Sequence, residues 1–381
     1  MNPPSAIGHP PSVCRILVRG VNWLGDAVMS TPALLRLRER FPEAHITLLT
    51  PEKLRDLWLH HSAINEKISF PAGESLLSVS RKLRAGNFDL ALVLPNSPRS
   101  ALEVWFARIP QRIGYARPWR SCFLTRTVPP RAGAVEMHKR SVNEIKTLIA
   151  QAHPDHASRI AYPPSAHHLH QYLHLVAALG ASPEPLPPRL VVTPEEIAAV
   201  AKKFGLDTAS TGARPLLGLN PGAEYGPAKR WPIERFVAAA REIQQRTDCA
   251  WLIVGGKGDL ALAEQVASAF HASRFTFHDL RGKTSLRELM AVLKLSRLLL
   301  TNDTGPMHVA AALGTPVVVP FGSTSLELTG PGLPGDARHR LLKLDAPCSP
   351  CFRRECPIDF RCMNGITVER VVAEVAGILN R

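Results

Sequence analysis

The apolar positions of this chain gather into short runs that end in small or polar residues, and segments of helical spacing follow those ends. RILVRG (15–20), HITLLT (45–50) and FDLALVLP (88–95) read as strands apolar enough to be covered on both faces. TPALLRLRERF (31–41) reads as a helix, with Thr31 as its cap, Pro32 in its first turn and leucines at helical spacing. From about Pro154 to Pro215 the alternation breaks, and amphipathic pieces near 169–179 and 194–204 stand among histidines and prolines. The rhythm then restarts with PLLGLN (215–220), a helix over about 233–245, CAWLIVGG (249–256) and a helix over about 260–270. It closes with LLLTNDTGPMHVAAALGTPVVVPFGST (298–324), which reads as strand, polar turn, helix and strand. Such alternation predicts two α/β halves, each a parallel sheet with helices on both faces, and a cleft at the carboxyl ends of the strands. The expected division is a flexible tail (1–13), an N-terminal domain (14–180), a linker region (181–214), a C-terminal domain (215–365) and a terminal helix (366–381).

Chemistry concentrates in the turns at predicted strand ends. In the turn from Asn302 to His308, Gly305 allows close backbone approach and Pro306 suits a first helical turn. Unpaired amides at a helix start attract an anion, so Asp303, Thr304, Gly305, Met307 and His308 are candidate ligand contacts. The alternative is an Asp/Thr helix cap beside a buried histidine. The loop NPGAEYGPAKRWP (220–232) adds Asn220, backbone freedom at Gly222 and Gly226, and the cations Lys229 and Arg230. Two anion-seeking loops on one sheet suit a diphosphate better than a monophosphate. In the first half, GVNWLGDA (20–27) has phosphate-loop spacing but carries Asp26 where a lysine would stand. A carboxylate there repels phosphate, which leaves Asp26 as a candidate general base or a simple cap. Neither half shows a G-x-G-x-x-G after a strand.

Composition narrows the partners. The chain has 381 residues, 45% of them hydrophobic, and a formal charge of +14, which calls for a polyanionic partner or surface. Between Arg99 and Arg140, nine Lys or Arg residues face two acids, and Trp105, Phe106, Tyr115, Trp119 and Phe123 are interleaved with them. That mixture suits a lipid headgroup surface, and a solvated basic face is its bland counterpart. No nucleic-acid fold motif accompanies the charge. A signal peptide and a membrane span are not expected, which places the chain in the cytoplasm. Seven cysteines point to reduced thiols, although Cys348, Cys351, Cys356 and Cys362 have spacings that could bind zinc. No D-x-D pair occurs, so metal-free chemistry is expected, with leaving-group charge met by Lys229 and backbone amides.

NWLGDAVMSTPAL, NPGAEYGPAKRWP, TNDTGPMHVAAALGTPVVVPFGST and the CSPC-containing stretch together resemble the ADP-heptose:lipopolysaccharide heptosyltransferases. The resemblance implies a glycosyltransferase of the GT-B architecture, two Rossmann-like domains facing a cleft, with no cofactor and no metal. It implies transfer from ADP-heptose to the heptose of a lipopolysaccharide inner core, with inversion, at the cytoplasmic face of the inner membrane. Asp26 would then take the acceptor proton, and Lys229, Thr304 and Gly305 would hold the departing diphosphate. Glu288, in a helix-like segment after GKTS, would touch the ribose. Asn22, Trp23, Asn96, Arg99 and Arg120 would lie on the acceptor side, toward the phosphorylated Kdo–lipid A portion, in a monomer that binds no nucleic acid. The segment from His138 (HKRSVNEIKTL) departs from the family pattern. A different heptosyltransferase, a nucleotide-sugar epimerase on the same architecture and a non-enzymatic basic module are the competing readings.

Overall fold

The computed structural model describes residues 15–151, 162–206, 214–272 and 275–380. These form two compact units: the described residues up to Ala134 with Leu169–Pro185, and Val135–His168 with Leu186 onward.

The first unit holds a six-stranded, wholly parallel sheet in the order β3-β2-β1-β4-β5-β6. Its strands are β1 (Arg15–Arg19), β2 (His45–Pro51), β3 (Glu66–Phe70), β4 (Leu90–Val93), β5 (Gln111–Tyr115) and β6 (Arg126–Val128). Helices α1 (Leu24–Met29), α2 (Thr31–Arg40), α3 (Leu76–Arg84) and α4 (Pro98–Phe106) make the crossovers. Leu17, Leu49, Ala91 and Val93 meet Val79, Leu83, Ala101 and Val104 in a dry core, as expected of strands covered on both faces. Thr31, expected as a cap, is the first residue of α2, and Ser30 is the N-cap.

In the second unit the sheet runs β12-β11-β10-β7-β8-β9, again parallel throughout. Its strands are β7 (Leu216–Asn220), β8 (Ala250–Ile253), β9 (Phe277–Asp279), β10 (Leu298–Thr301), β11 (Val317–Phe321) and β12 (Arg340–Lys343). Renumbered within the unit, this is the same order as the first sheet. In both, the strand order reverses between the first and fourth strands, and that reversal opens a crevice at the carboxyl ends.

The domain boundaries differ from those expected. Residues 135–168, placed in the N-terminal domain, belong to the second unit. There α5 (Val142–Ala150) buries Ile145 against Leu217, Trp231 and Cys348, and the Arg140 amide donates to the Cys351 carbonyl at 3.0 Å. The chain then returns to the first unit with α6 (Leu169–Ala177), packed on α2. Part of the expected linker is α7 (Pro194–Phe204), a capping-box helix whose Glu196 pairs with Arg287 of the second unit. The terminal helix Val368–Leu379 is likewise part of that unit, burying Val371, Val372 and Val375 in its core. The expected tail, 1–13, lies outside the described residues.

Candidate active site at the two switch points

In the second unit the loops after β7 and β10 meet through short polar bonds. Asn302 is fully buried: its Oδ1 accepts from the Trp231 amide at 2.9 Å, and its Nδ2 donates to the Pro221 carbonyl at 2.7 Å. Asn220 donates to Thr301 Oγ1 at 3.1 Å. Gly222 allows a close approach, because a Cβ there would lie 2.3 Å from the Asp259 carboxyl carbon. Gly226, at φ 153°, likewise brings backbone against the Arg354 carbonyl. These contacts bring the short turn Pro227–Lys229 to the β10 loop, and Lys229 Nζ reaches Asp303 Oδ2 at 2.6 Å. Thr324, beyond β11, donates to the same Asp303 oxygen at 2.6 Å, and the Tyr225 ring lies 5.0 Å from the Lys229 ammonium.

The helix that follows, Gly305–Ala312, has Thr304 as N-cap and no side-chain cap bond. Neither Asp303 nor Thr304 is therefore a capping side chain. The helix start presents backbone amides, and Asp303 fixes Lys229 and Thr324 instead. Met307 is buried. His308 is also buried, which holds its pKa down to about 4 against the opposing pull of Asp303, with Lys229 and His168 adding to the depression. It is neutral at neutral pH. His168 reaches this neighbourhood because its amide donates to the Leu328 carbonyl at 2.9 Å and the His167 ring lies 2.9 Å from the Gly330 carbonyl.

Glu288 lies at the start of α8 (Leu286–Leu295), where it completes a capping box with Ser285 and pairs with Lys203 at 2.5 Å. Its hydrogen-bond partners are Ser285 and Lys203, not the Lys229 cluster. The cysteines Cys348, Cys351 and Cys362 are buried and Cys356 half-buried, and all four line one small cavity. Burial raises the Cys348 and Cys351 thiols and pushes Cys362 up to about 12. Among the described residues no group of three or more His, Cys, Asp or Glu is arranged to hold a metal ion.

The first unit presents a different chemistry at the same topological position. Asp26 is the third residue of α1, half-buried, and is not its cap: the N-cap is Trp23, without a side-chain bond. A hydrogen bond joins its carboxylate to the phenol of Tyr172 on α6. Burial, then the Asp26 charge, drives that phenol well above its ordinary pKa. The loop before α1 is fixed from below by buried Arg19, which donates to the Gly20 carbonyl at 2.6 Å, Asn22 Oδ1 at 2.8 Å and Glu103 Oε2 at 2.8 Å. Trp23 is half exposed, with the Lys53 ammonium over its ring.

The basic segment is not one solvated face. Arg99 pairs with the fully buried Glu103 at 3.1 Å, and Arg112 donates to the carbonyls of Ile109 and Phe123. Arg120 is fully buried, held to Asn96 Oδ1 at 3.2 Å, with Nε and Nη2 lacking protein partners; burial and Arg117 lower its pKa to about 10. Asn96 follows β4 and Arg120 follows β5, so both lie at the carboxyl edge that carries Asp26. Lys139 and Arg140 belong to the second unit, as does the divergent segment from His138.

Tyr172, Thr324, Tyr225 and His168 were not singled out from the sequence. Thr324 and Tyr225 lie inside the motif segments and could have been found there. Tyr172 stands 146 positions from Asp26, and no local pattern links them.

Two doubly wound parallel sheets of one strand order are the architecture of GT-B glycosyltransferases. The family model for glycosyltransferase family 9 (heptosyltransferase) matches residues 76–360, and the chain belongs to that family. It is 32% identical to lipooligosaccharide heptosyltransferase 2 of Haemophilus ducreyi over 83% of this chain and 86% of that one. It is 31% identical to lipopolysaccharide heptosyltransferase 2 of Escherichia coli over 83% and 85%. The solved E. coli ADP-heptose LPS heptosyltransferase II superposes with a TM-score of 0.74 at 27% identity, covering 96% of this chain and 98% of that one.

Proposed function

We propose that the chain moves heptose from ADP-heptose to the heptose of a lipopolysaccharide inner core, with Asp26 as base and the second unit as donor site. The carrying observation is the contrast between switch points: a carboxylate bonded to a phenol in one, a fixed lysine beside an uncapped helix start in the other. The names of the relatives supply the sugar and the nucleotide.

In this mechanism Asp26 takes the proton of the acceptor hydroxyl as that oxygen attacks the anomeric carbon. The bond to the diphosphate breaks, its electron pair leaves with ADP, and the anomeric centre inverts in one displacement. Lys229 has one proton committed to Asp303 and offers the others to phosphate oxygens, and the Thr304 and Gly305 amides complete the cradle. Glu288 contacts the ribose. With no D-x-D pair in the sequence, the charge forming on ADP falls to these groups. Asn22, Trp23, Asn96, Arg99 and Arg120 receive the acceptor. The exposed Trp105 and Trp119, with Arg108 and Arg126, suit an anionic membrane surface, and no helix among the described residues is long and apolar enough to cross one.

Release of ADP from ADP-heptose, dependent on a mono-heptosylated core acceptor and assayed with and without EDTA, tests the reading. Asp26→Asn is expected to lose about 10³-fold in kcat while binding ADP as the parent does. Normal turnover by that variant would reduce Asp26 to a structural residue.

A further inference from the structure

Two features of Asp26 need explanation if it removes a proton. Its carboxylate stands on a helix of only six residues, beside the exposed Trp23. Its hydrogen-bond partner comes from α6, a helix the chain reaches only after its excursion into the second unit.

We infer that Tyr172 is a positioning residue for Asp26, its phenol holding the carboxylate in the orientation and the ionised form that proton abstraction requires. This rests on the reading of Asp26 as the base. Tyr172 is buried on the face of α6 that also buries Leu169, Leu173 and Val176, and that helix packs on α2. The register of α6 is fixed by Tyr115 at the end of β5. Its hydroxyl donates to the Gln171 carbonyl at 2.7 Å, and its ring stacks on His174 with centroids 5.8 Å apart. Gln171 immediately precedes Tyr172, so the clamp lies one residue from the phenol. A phenol that stays protonated is a constant donor, and a donor to a carboxylate favours its charged form. The other titratable groups around this helix are Tyr115, His170 and His174, with the charges of Arg117 and Arg131 acting on them; Lys53 lies on the Trp23 side. Burial lowers both histidines, which favours their neutral forms, with Glu184 pulling His170 the other way.

Tyr172→Phe removes one oxygen and keeps the ring that fills the core. Expected are a kcat lowered about tenfold, a donor KM within about twofold of the parent, and an acidic limb of the kcat/KM profile moved up by about half to one pH unit. Thermal midpoints of parent and variant should nearly coincide. An unmoved limb, whether kcat is normal or falls together with the thermal midpoint, overturns the inference. Asp26→Asn in parallel separates the two readings: if it is inactive while Tyr172→Phe is like the parent, the base stands and its positioning by Tyr172 does not. If Asp26→Asn turns over normally, the base reading fails and the inference with it.

Discussion

The two sheets share one strand order, yet the loops at their switch points differ in almost every chemical respect. After β7 and β10 the backbone is drawn in by Gly222 and the buried Asn302, and the groups presented are a lysine, a hydroxyl and helix-start amides. After β1 the corresponding loop sits on the buried Arg19–Glu103 ion pair, which the exposed Arg99 also joins, and presents a carboxylate. Topology thus fixes where each unit can bind a ligand, and a few loop residues decide what is done there. A cradle for a departing diphosphate and a base for an incoming hydroxyl need opposite charges. On the proposed reading, dividing them between two sheets lets each loop be built around its own polar contacts.

The sharpest way to break this comparison is to delete the key group on each side. Asp26→Asn is expected to abolish turnover, about 10³-fold, with ADP affinity unchanged. Lys229→Met is expected to cost 10²- to 10³-fold in kcat and to weaken ADP binding as well. Lys229→Met should also destabilise the second unit by about 3–5 kcal/mol, because Asp303 is left buried without its cation. Adding Asp303→Asn should recover much of the thermal midpoint without recovering turnover. If the double variant regains activity, Lys229 serves only to neutralise Asp303 and the division of labour fails.

Acid provides the next test. His308 and His339 in the second unit and His61 in the first are buried neutral, each with its pKa held down to about 4 by desolvation. A histidine depressed below its unfolded value of about 6.5 contributes stability that is complete above that value and is lost as pH falls toward 4. Each forfeits on the order of 3 kcal/mol as pH falls to 4, so two such groups against one predict that the second unit fails first. Hydrogen exchange followed from pH 7 to pH 4 should show earlier loss of protection in β10 than in β1. Simultaneous loss would mean that carboxylates, and not these histidines, govern acid unfolding.

Legibility followed sequence distance. The strands ending in Gly20 and Asn220, the Lys229 loop and the Asn302–His308 turn are all local patterns, since apolar runs and Gly/Pro punctuation report on nearby backbone. The pairing of Asp26 with Tyr172, the burial of Arg120 and the docking of 135–168 on the second unit depend on contacts between distant segments. A basic residue is read from sequence as exposed, yet buried Arg19 and Arg120 hold a carboxylate and an amide oxygen, and half-buried Arg112 holds carbonyls. That is why the charge cluster promised a broader cationic face than the fold supplies. The domain boundary was misplaced for a related reason: nothing local says that the amphipathic piece near 169–179 packs back on α2 while the segment before it packs on the second unit.

The smallest effect concerns Glu288, which has two occupations. As the third residue of α8 it accepts from the Ser285 amide at 2.7 Å, and it also pairs with Lys203. Its helix begins just beyond β9, at the carboxyl edge of the second sheet, where on the proposed reading the nucleoside half of ADP-heptose would lie. Glu288→Gln keeps a side chain that can close a capping box, so the unfolding midpoint should move by less than about 1 kcal/mol equivalent. A ribose hydroxyl, by contrast, loses a charged acceptor, worth about 1 kcal/mol against a neutral amide, so the donor KM should rise about fivefold with kcat unchanged. An unaltered KM would leave Glu288 as cap and partner of Lys203 alone. The donor side of the comparison would then rest on Lys229 and the helix-start amides.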